Sequence, residues 1–197
     1  MGLFNLVNKN VIDNIRNIES IEDKHRKHIL EVLSQIPKRV PEGWRKIDFA
    51  IAGLLYAGFS EVSTEKLICI SSQGQSVINC KTGEKKFCDE NYDEHDLIAC
   101  ADELGDEMIH IAGIGGGGMC HYSGNGETLQ LAAPHYPKEQ VIFMPDFKDC
   151  FSSPKECRII FEDYGIRTFG FSKCGNYMIA CSSSDLSIFT KISPMKK

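Results

Sequence analysis

A hairpin-forming stretch occurs twice in this 197-residue chain, and the repeat constrains the fold more than any other feature. Residues 58–79 read GFSEVSTEKLICISSQGQSVIN, and residues 170–190 read GFSKCGNYMIACSSSDLSIFT, which is one residue shorter. In each copy, small polar turn residues separate two apolar runs, and this is the pattern of a β-hairpin. The chain therefore uses one β-hairpin unit twice.

The hairpins and their flanks predict an α+β fold made mainly of antiparallel β-sheet. Residues 66–88 contain three short runs joined by tight turns, which predicts a meander. Residues 10–36 have apolar side chains at helical spacing, which predicts an N-terminal helix or helical pair. The same spacing over residues 97–104 predicts one short inserted helix, with Gly105 directly after its end.

The chain divides into an N-terminal helical element, residues 1–40, and a β-rich domain, residues 41–197. The hairpin units of this domain resemble the blades of β-propellers. A propeller needs at least four blades of about 40 residues each, and the β-rich domain is too short to supply them with its helix included. We therefore interpret the resemblance as shared hairpin chemistry.

A glycine-rich stretch, IAGIGGGGMCHYSGNG at residues 111–126, contains the glycine spacing of a dinucleotide-binding loop. Such a loop requires a helix to begin inside the glycines, so that its N–H groups meet the pyrophosphate. Turn residues follow here instead, and Asn125-Gly126 predicts a two-residue type I′ hairpin turn. No Lys-Ser or Lys-Thr follows the last glycine, so the sequence also excludes a P-loop.

Four consecutive glycines in this stretch have two explanations. They permit a bulge or the close packing of two backbones, or they leave backbone N–H groups free to face a ligand. We favour the structural explanation. The alternative gives a candidate ligand-binding set: Gly115, Gly116, Gly117, Gly118 and His121.

Five short segments between Val40 and Phe147 carry a resemblance to a protein family. In chain order they are PEGW, AGLLYAGFS, LICISSQGQSVINCKTGE, IAGIGGGG and PHYPKEQVIF. This order resembles a group of uncharacterised bacterial proteins of similar length, in which a D-G-W turn follows a glycine-rich GGG strand and turn motif. The present chain has GGGGMCHYSGNGETL at that point. The resemblance implies no catalytic assignment, and no functional residue is carried over from it.

Charge is distributed unevenly along the chain. Residues 87–137 contain ten acidic residues and no Lys or Arg, so this segment carries −10 while the rest carries +5. Such a block forms a solvated face, a docking surface for a basic partner, or a cation site. The candidate partner-binding residues are Asp89, Glu90, Asp93, Glu94, Asp96, Asp102 and Glu103. The overall acidity, with an isoelectric point near 5.7, argues against nucleic-acid binding.

Cysteines and histidines do not form a recognisable metal motif. The nine cysteines include no C-x-x-C pair, and their odd number without an export signal predicts reduced thiols in the cytoplasm. We expect no metal and no cofactor; the alternative zinc set is His110, Cys120 and His121. No apolar run reaches about 18 residues, so a membrane partner is not expected.

Two classes of function fit these patterns. The first is a non-catalytic binding or interaction protein, such as a bacterial or phage regulator, immunity or counter-defence factor, which docks a basic partner through its acidic segment. The second is a metal-assisted hydrolase or small-ligand-binding enzyme that uses Asp, His and Cys residues between 88 and 135. We favour the first, because no catalytic motif such as G-x-S-x-G or H-E-x-x-H is present. The sequence does not predict the oligomeric state.

Overall fold

The computed structural model describes residues 21–192, and within them it contains one α-helix and fifteen β-strands. Helix α1 spans residues 21–34. The strands are β1 (Trp44–Ala50), β2 (Leu54–Phe59), β3 (Lys66–Ser71), β4 (Gly74–Asn79), β5 (Lys85–Cys88), β6 (Tyr92–Asp93), β7 (Ile98–Ala99), β8 (Ile109–His110), β9 (Ala112–Gly113), β10 (Thr128–His135), β11 (Lys138–Met144), β12 (Arg158–Tyr164), β13 (Thr168–Phe171), β14 (Tyr177–Cys181) and β15 (Asp185–Lys191). This composition confirms the predicted α+β class.

The strands form four antiparallel sheets, built mostly from neighbours along the chain. Their strand orders are β5-β4-β3-β2-β9, β6-β7-β8, β10-β11-β12 and β1-β15-β14-β13. In the fourth sheet, β1 pairs with β15, from Trp44 opposite Lys191 to Ala50 opposite Asp185. This pairing ties the beginning of the β-rich region to its end.

The two hairpin repeats have the same strand register. In the first copy, Gly58 pairs with Ile68, and Ile68 pairs with Val77 on the following strand. The aligned residues of the second copy pair in the same way, Gly170 with Ile179 and Ile179 with Ile188. The prediction of a repeated hairpin unit is confirmed.

Hydrophobic clusters join the sheets in series. A cluster around Leu67 and Leu186 joins the β2–β5 sheet to the β13–β15 sheet. A second cluster, around Phe143 and Phe189, joins the β13–β15 sheet to the β10–β12 sheet. A third cluster, around Ile109, joins the β2–β5 sheet to the β6–β8 sheet. The described residues therefore form four sheets packed in series, and the two hairpin repeats lie in the two middle sheets.

Helix α1 covers the outer side of the β10–β12 sheet. Leu33, together with Ile36 just beyond the helix, packs against Ile142, Cys157 and Ile159 in a fourth cluster. The predicted helical element is thus confirmed over residues 21–34. Its earlier part, residues 1–20, lies outside the described residues.

The prediction of an inserted helix over residues 97–104 is wrong in its extent. Ile98–Ala99 forms strand β7, and Asp102–Leu104 alone is helical, as a single 3-10 turn. Leu97 has a φ of 54°, which cannot continue a right-handed helix. Gly105 does follow the turn, with a φ of 65°. The apolar side chains of this segment pack against the β2–β5 sheet, and this packing does not require a helix.

Candidate interaction surface

The acidic segment surrounds the small β6–β8 sheet, which lies at one end of the series of sheets. The loops and turns that connect these short strands carry most of its carboxylates. The structure places all seven predicted partner-binding residues in exposed positions: Asp89, Glu90, Asp93, Glu94, Asp96, Asp102 and Glu103. We refer to these seven residues as the acidic surface.

Ion pairing leaves most of the acidic surface uncompensated. Glu103 pairs with Lys66, with 3.0 Å between Oε1 and Nζ. The other six carboxylates have no Lys or Arg partner within the described residues 21–192. The Lys66 contact was not predictable from the acidic segment, because Lys66 lies outside it on strand β3.

A local turn holds part of the acidic surface in place. Asp93 Oδ1 accepts hydrogen bonds from the backbone N–H groups of Asp96 (3.1 Å) and His95 (2.7 Å). These two bonds stabilise the charged form of the Asp93 carboxyl and therefore lower its pKa, and the bond from Asp96 has the larger effect. Asp93 therefore caps the turn between β6 and β7.

Three carboxylates of the acidic surface act on the Cys88 thiol at the end of strand β5. Burial raises the pKa of Cys88, a hydrogen bond from Gln75 opposes that change, and the charges of Glu103, Asp89 and Asp102 raise the pKa further. These three carboxylates come from two different loops. Three of the seven carboxylates therefore contribute to the negative field at one thiol.

Two other acidic residues of the segment have structural roles. Glu107 Oε2 accepts from Ser60 Oγ at 2.5 Å, and its Oε1 accepts from the N–H groups of Glu61 (2.6 Å) and Val62 (3.2 Å). Glu127 is buried, with 8% of its surface exposed. Glu107 and Glu127 are therefore less accessible to a partner than the seven residues of the acidic surface.

The glycine run packs closely against strand β2 and against its own chain. A Cβ at Gly113 would overlap the backbone carbonyl of Leu55, and a Cβ at Gly115 would overlap the Tyr56 hydroxyl. At Gly117, which has a φ of 77°, a Cβ would lie 2.7 Å from the backbone carbonyl oxygen of Ile111. Close packing thus accounts for these three glycines, against backbone at Gly113 and Gly117 and against the Tyr56 side chain at Gly115.

The remaining members of the candidate ligand-binding set do not share one environment. Gly116 has a φ of 118°, and both Gly116 and Gly118 face open space. The His121 ring stacks on Phe169, with 4.4 Å between ring centroids and 9° between ring planes. A ligand-facing role for Gly116 and Gly118 stays a prediction.

The hairpin predicted after the glycine run has a different turn. The Gly126 N–H donates to the Ser123 carbonyl (3.3 Å), and the Ser123 N–H donates to the Glu127 carbonyl (2.9 Å). Gly126 has a φ of 79°, so the bonds enclose a three-residue loop with a G1 bulge. Asn125 is outside the left-handed region, and the predicted type I′ turn is therefore wrong. Because the loop has three residues, 124–126, only position 126 requires a positive φ.

The alternative zinc residues lie in separate contacts. His110 is on strand β8, the Cys120 thiol donates to the Tyr122 carbonyl (3.1 Å), and the His121 ring is stacked as described above. Within residues 21–192, no group of three His, Cys, Asp or Glu side chains is arranged to hold a metal ion.

Buried cysteines behave as small apolar core residues. Cys69 and Cys181 lie in the cluster that joins the two hairpin repeats. Burial raises the pKa of each thiol to about 12, so both stay protonated near neutral pH. These two residues therefore pack as small apolar side chains.

No family model, no curated protein and no solved structure matches the chain. Across residues 21–192, the helix is too short and too polar to span a lipid bilayer. The chemistry of the surface is therefore the basis for the function proposed below.

Proposed function

We propose that the chain is a non-catalytic interaction protein that docks a basic partner through the acidic surface. The observation that carries the proposal is a set of seven exposed carboxylates, six of which have no cationic partner within the described residues. An uncompensated field of this kind attracts surfaces rich in Lys and Arg and accelerates their association. A bacterial or phage regulator, immunity or counter-defence factor would use it to occupy a basic face of its target.

The enzyme alternative has less support. Its candidate ligands, His110, Cys120 and His121, are not gathered into one site among the described residues. Packing against the Tyr56 hydroxyl and against the Ile111 carbonyl already explains Gly115 and Gly117, two of the four glycines that would otherwise face a ligand. Among the described residues, by contrast, an ion pair with Lys or Arg compensates only Glu103 of the acidic surface.

The test compares two variants with the same change in net charge. The first neutralises part of the acidic surface through Asp93→Asn, Glu94→Gln and Asp96→Asn; asparagine at position 93 keeps the turn, because its side-chain oxygen also accepts the two N–H bonds. The control neutralises exposed acidic residues elsewhere through Glu42→Gln, Glu84→Gln and Asp185→Asn.

Each protein is used as bait in a lysate of the native host, and the captured partner is then purified for kinetic measurements. We expect the partner to have a basic face and the first variant to associate about tenfold more slowly, with the control unchanged. Binding should also weaken between about 0.05 and 0.5 M salt, where the screening length falls from roughly 14 to 4 Å. Binding that is insensitive to salt and equal for both variants would contradict the proposal.

A further inference from the structure

A cavity of about 260 Å³ lies where helix α1 meets the β10–β12 sheet. Its apolar lining comes mainly from the helix and the residues just after it, through Leu30, Leu33 and Ile36. Its polar lining comes from the segment before β1 and from strands β11 and β12, through Lys38, Lys138, Gln140 and Glu162. Ligand sites combine these two kinds of surface: apolar groups hold the body of the ligand, and a few polar groups fix its orientation.

The polar lining groups meet at the Glu162 carboxylate. Lys38 Nζ (2.8 Å) and Gln140 Nε2 (2.6 Å) both contact Oε2, and Lys138 binds the same carboxylate. Two ammonium groups and one carboxylate give the cavity lining one net positive charge, although the whole chain carries −5. Each ammonium has three N–H donors, so both lysines keep a donor for a second anionic group.

Gln140 supplies an unused acceptor beside these donors. The residue is 7% exposed, and its Oε1 has no hydrogen-bond partner among residues 21–192. A buried acceptor without a donor is unfavourable, so a ligand that brings an O–H group to this atom forms a bond that the protein alone lacks. Because Lys38 and the Gln140 amide contact the same oxygen of Glu162, the acceptor and this ammonium can bind neighbouring groups of one small molecule.

The volume of the cavity limits the size of a ligand. A water molecule occupies about 30 Å³, so the cavity has room for roughly nine atoms of that size. A carboxylate, one carbon that bears a hydroxyl group, and a branched aliphatic chain of four carbons together have this number of non-hydrogen atoms. Larger molecules, such as nucleotides, do not fit.

We propose that this cavity binds a short aliphatic 2-hydroxycarboxylate. The ligand carboxylate accepts N–H bonds from Lys38 and Lys138, and it brings the net charge of the lining and the ligand to zero. The ligand hydroxyl donates to Gln140 Oε1, and the aliphatic chain packs against Leu30 and Leu33. An amino acid of the same size would place an ammonium group beside the two lysines, so the hydroxy acid binds better. This inference is independent of the acidic surface, which belongs to the β6–β8 sheet.

Isothermal titration calorimetry of the full chain with 2-hydroxy-4-methylpentanoate tests the proposal. The wild type should bind one molecule per chain. The compound 4-methylpentanoate lacks only the hydroxyl group and should bind about three- to tenfold more weakly, because it leaves Gln140 Oε1 without a donor. Leucine, with an ammonium group in place of the hydroxyl, should also bind more weakly. Absence of binding up to about 10 mM 2-hydroxy-4-methylpentanoate would overturn the proposal, and so would equal affinities for the two acids.

Variants of the lining locate the binding site. Lys38→Met should weaken the binding of 2-hydroxy-4-methylpentanoate at least about tenfold, because it removes a charged donor. Lys148→Met is the matched control, since Lys148 pairs with Glu156 outside the cavity, and it should leave the affinity unchanged. Gln140→Met removes the acceptor, so this variant should bind the two acids equally. Thermal midpoints show whether each variant folds, and unchanged binding in a folded Lys38→Met protein would place the ligand elsewhere and contradict the proposal.

Discussion

Glu162 on strand β12 lies where two lysines and a glutamine converge. Lys38 Nζ lies 2.8 Å from Oε2, Gln140 Nε2 donates to Oε2 at 2.6 Å, and Lys138 also binds the carboxylate. Partial burial of the Glu162 carboxyl would raise its pKa, but the hydrogen bonds from Lys138, Lys38 and Gln140 outweigh burial and lower it to about 2. The charged Glu162 carboxylate is therefore more stable in the folded state than in the unfolded state.

The sign of the resulting pH dependence follows from this lowered pKa. The stabilisation is complete above the unfolded carboxyl pKa, near 4.3, and is lost as the pH falls towards 2. Because both lysines are partly exposed, we expect Glu162→Gln to lose about 1 to 2 kcal/mol at pH 7. Urea unfolding between pH 7 and pH 2 should show the two proteins converging at low pH. A constant difference across that range would contradict the prediction.

Phe147 adopts a backbone conformation that suits glycine. Asp146 and Phe147 have φ values of 50° and 58°, and the Lys148 N–H donates to the Pro145 carbonyl at 2.9 Å. This is the geometry of a type I′ turn, in which glycine is preferred at the second central position. Phe147 is 87% exposed, so it loses little burial when replaced.

We therefore expect Phe147→Gly to raise the free energy of unfolding by about 0.5 to 1 kcal/mol, because relief of left-handed strain exceeds the added flexibility of the unfolded chain. Phe151, 51% exposed and outside the left-handed region, is the matched control. Phe151→Gly should be neutral or destabilising in the same chemical denaturation assay. Destabilisation of equal size in both variants would show that the φ of Phe147 is not a source of strain.

At the scale of elements, Gly113 allows strand β9 to pair with strand β2. Gly113 pairs with Tyr56, and a Cβ there would overlap the Leu55 carbonyl, which is backbone and cannot rotate away. Gly113→Ala should therefore cost about 2 kcal/mol or more, since the two strands must separate. Gly118→Ala is the control, because no atom lies within 4 Å of its Cβ, and it should change stability by less than about 0.5 kcal/mol. Thermal unfolding of both variants measures the difference; equal midpoints would rule out the packing role.

The same elements show what the sequence could predict. Turn residues and β-forming runs are local signals, so the two hairpin repeats and their register were predictable from residues 58–79 and 170–190. The apolar spacing around Leu97 fits a helix as well as a buried short strand, and the positive φ of Leu97 depends on packing that no local pattern encodes. The exposure of the acidic surface followed from its charge, whereas the Lys66–Glu103 pair depends on strand placement.

At the scale of the whole molecule, strand β1 pairs with β15 and packs against a sheet that is distant from it in sequence. Trp44, the one tryptophan of the chain, begins β1 and is 5% exposed. Its ring lies 6.1 Å from that of Phe143 and 6.2 Å from that of Phe171, and Lys191 Nζ lies 5.3 Å from its centroid. Tryptophan fluorescence therefore reports on contacts among β1, the β10–β12 sheet and the β13–β15 sheet.

If the sheets unfold together, a cavity in one cluster must lower the stability that a probe in another cluster reports. Ile188 is fully buried in the cluster between the two hairpin repeats, which does not contain Trp44. Ile188→Ala should cost about 2 to 5 kcal/mol, and the urea midpoints from fluorescence and from far-UV circular dichroism should fall by the same amount. The exposed Val62, changed to alanine, should move neither midpoint. A fluorescence transition that stays at the wild-type midpoint in Ile188→Ala would mean that the sheets unfold separately, because β1 would then keep its contacts around Trp44 after the repeat cluster had opened.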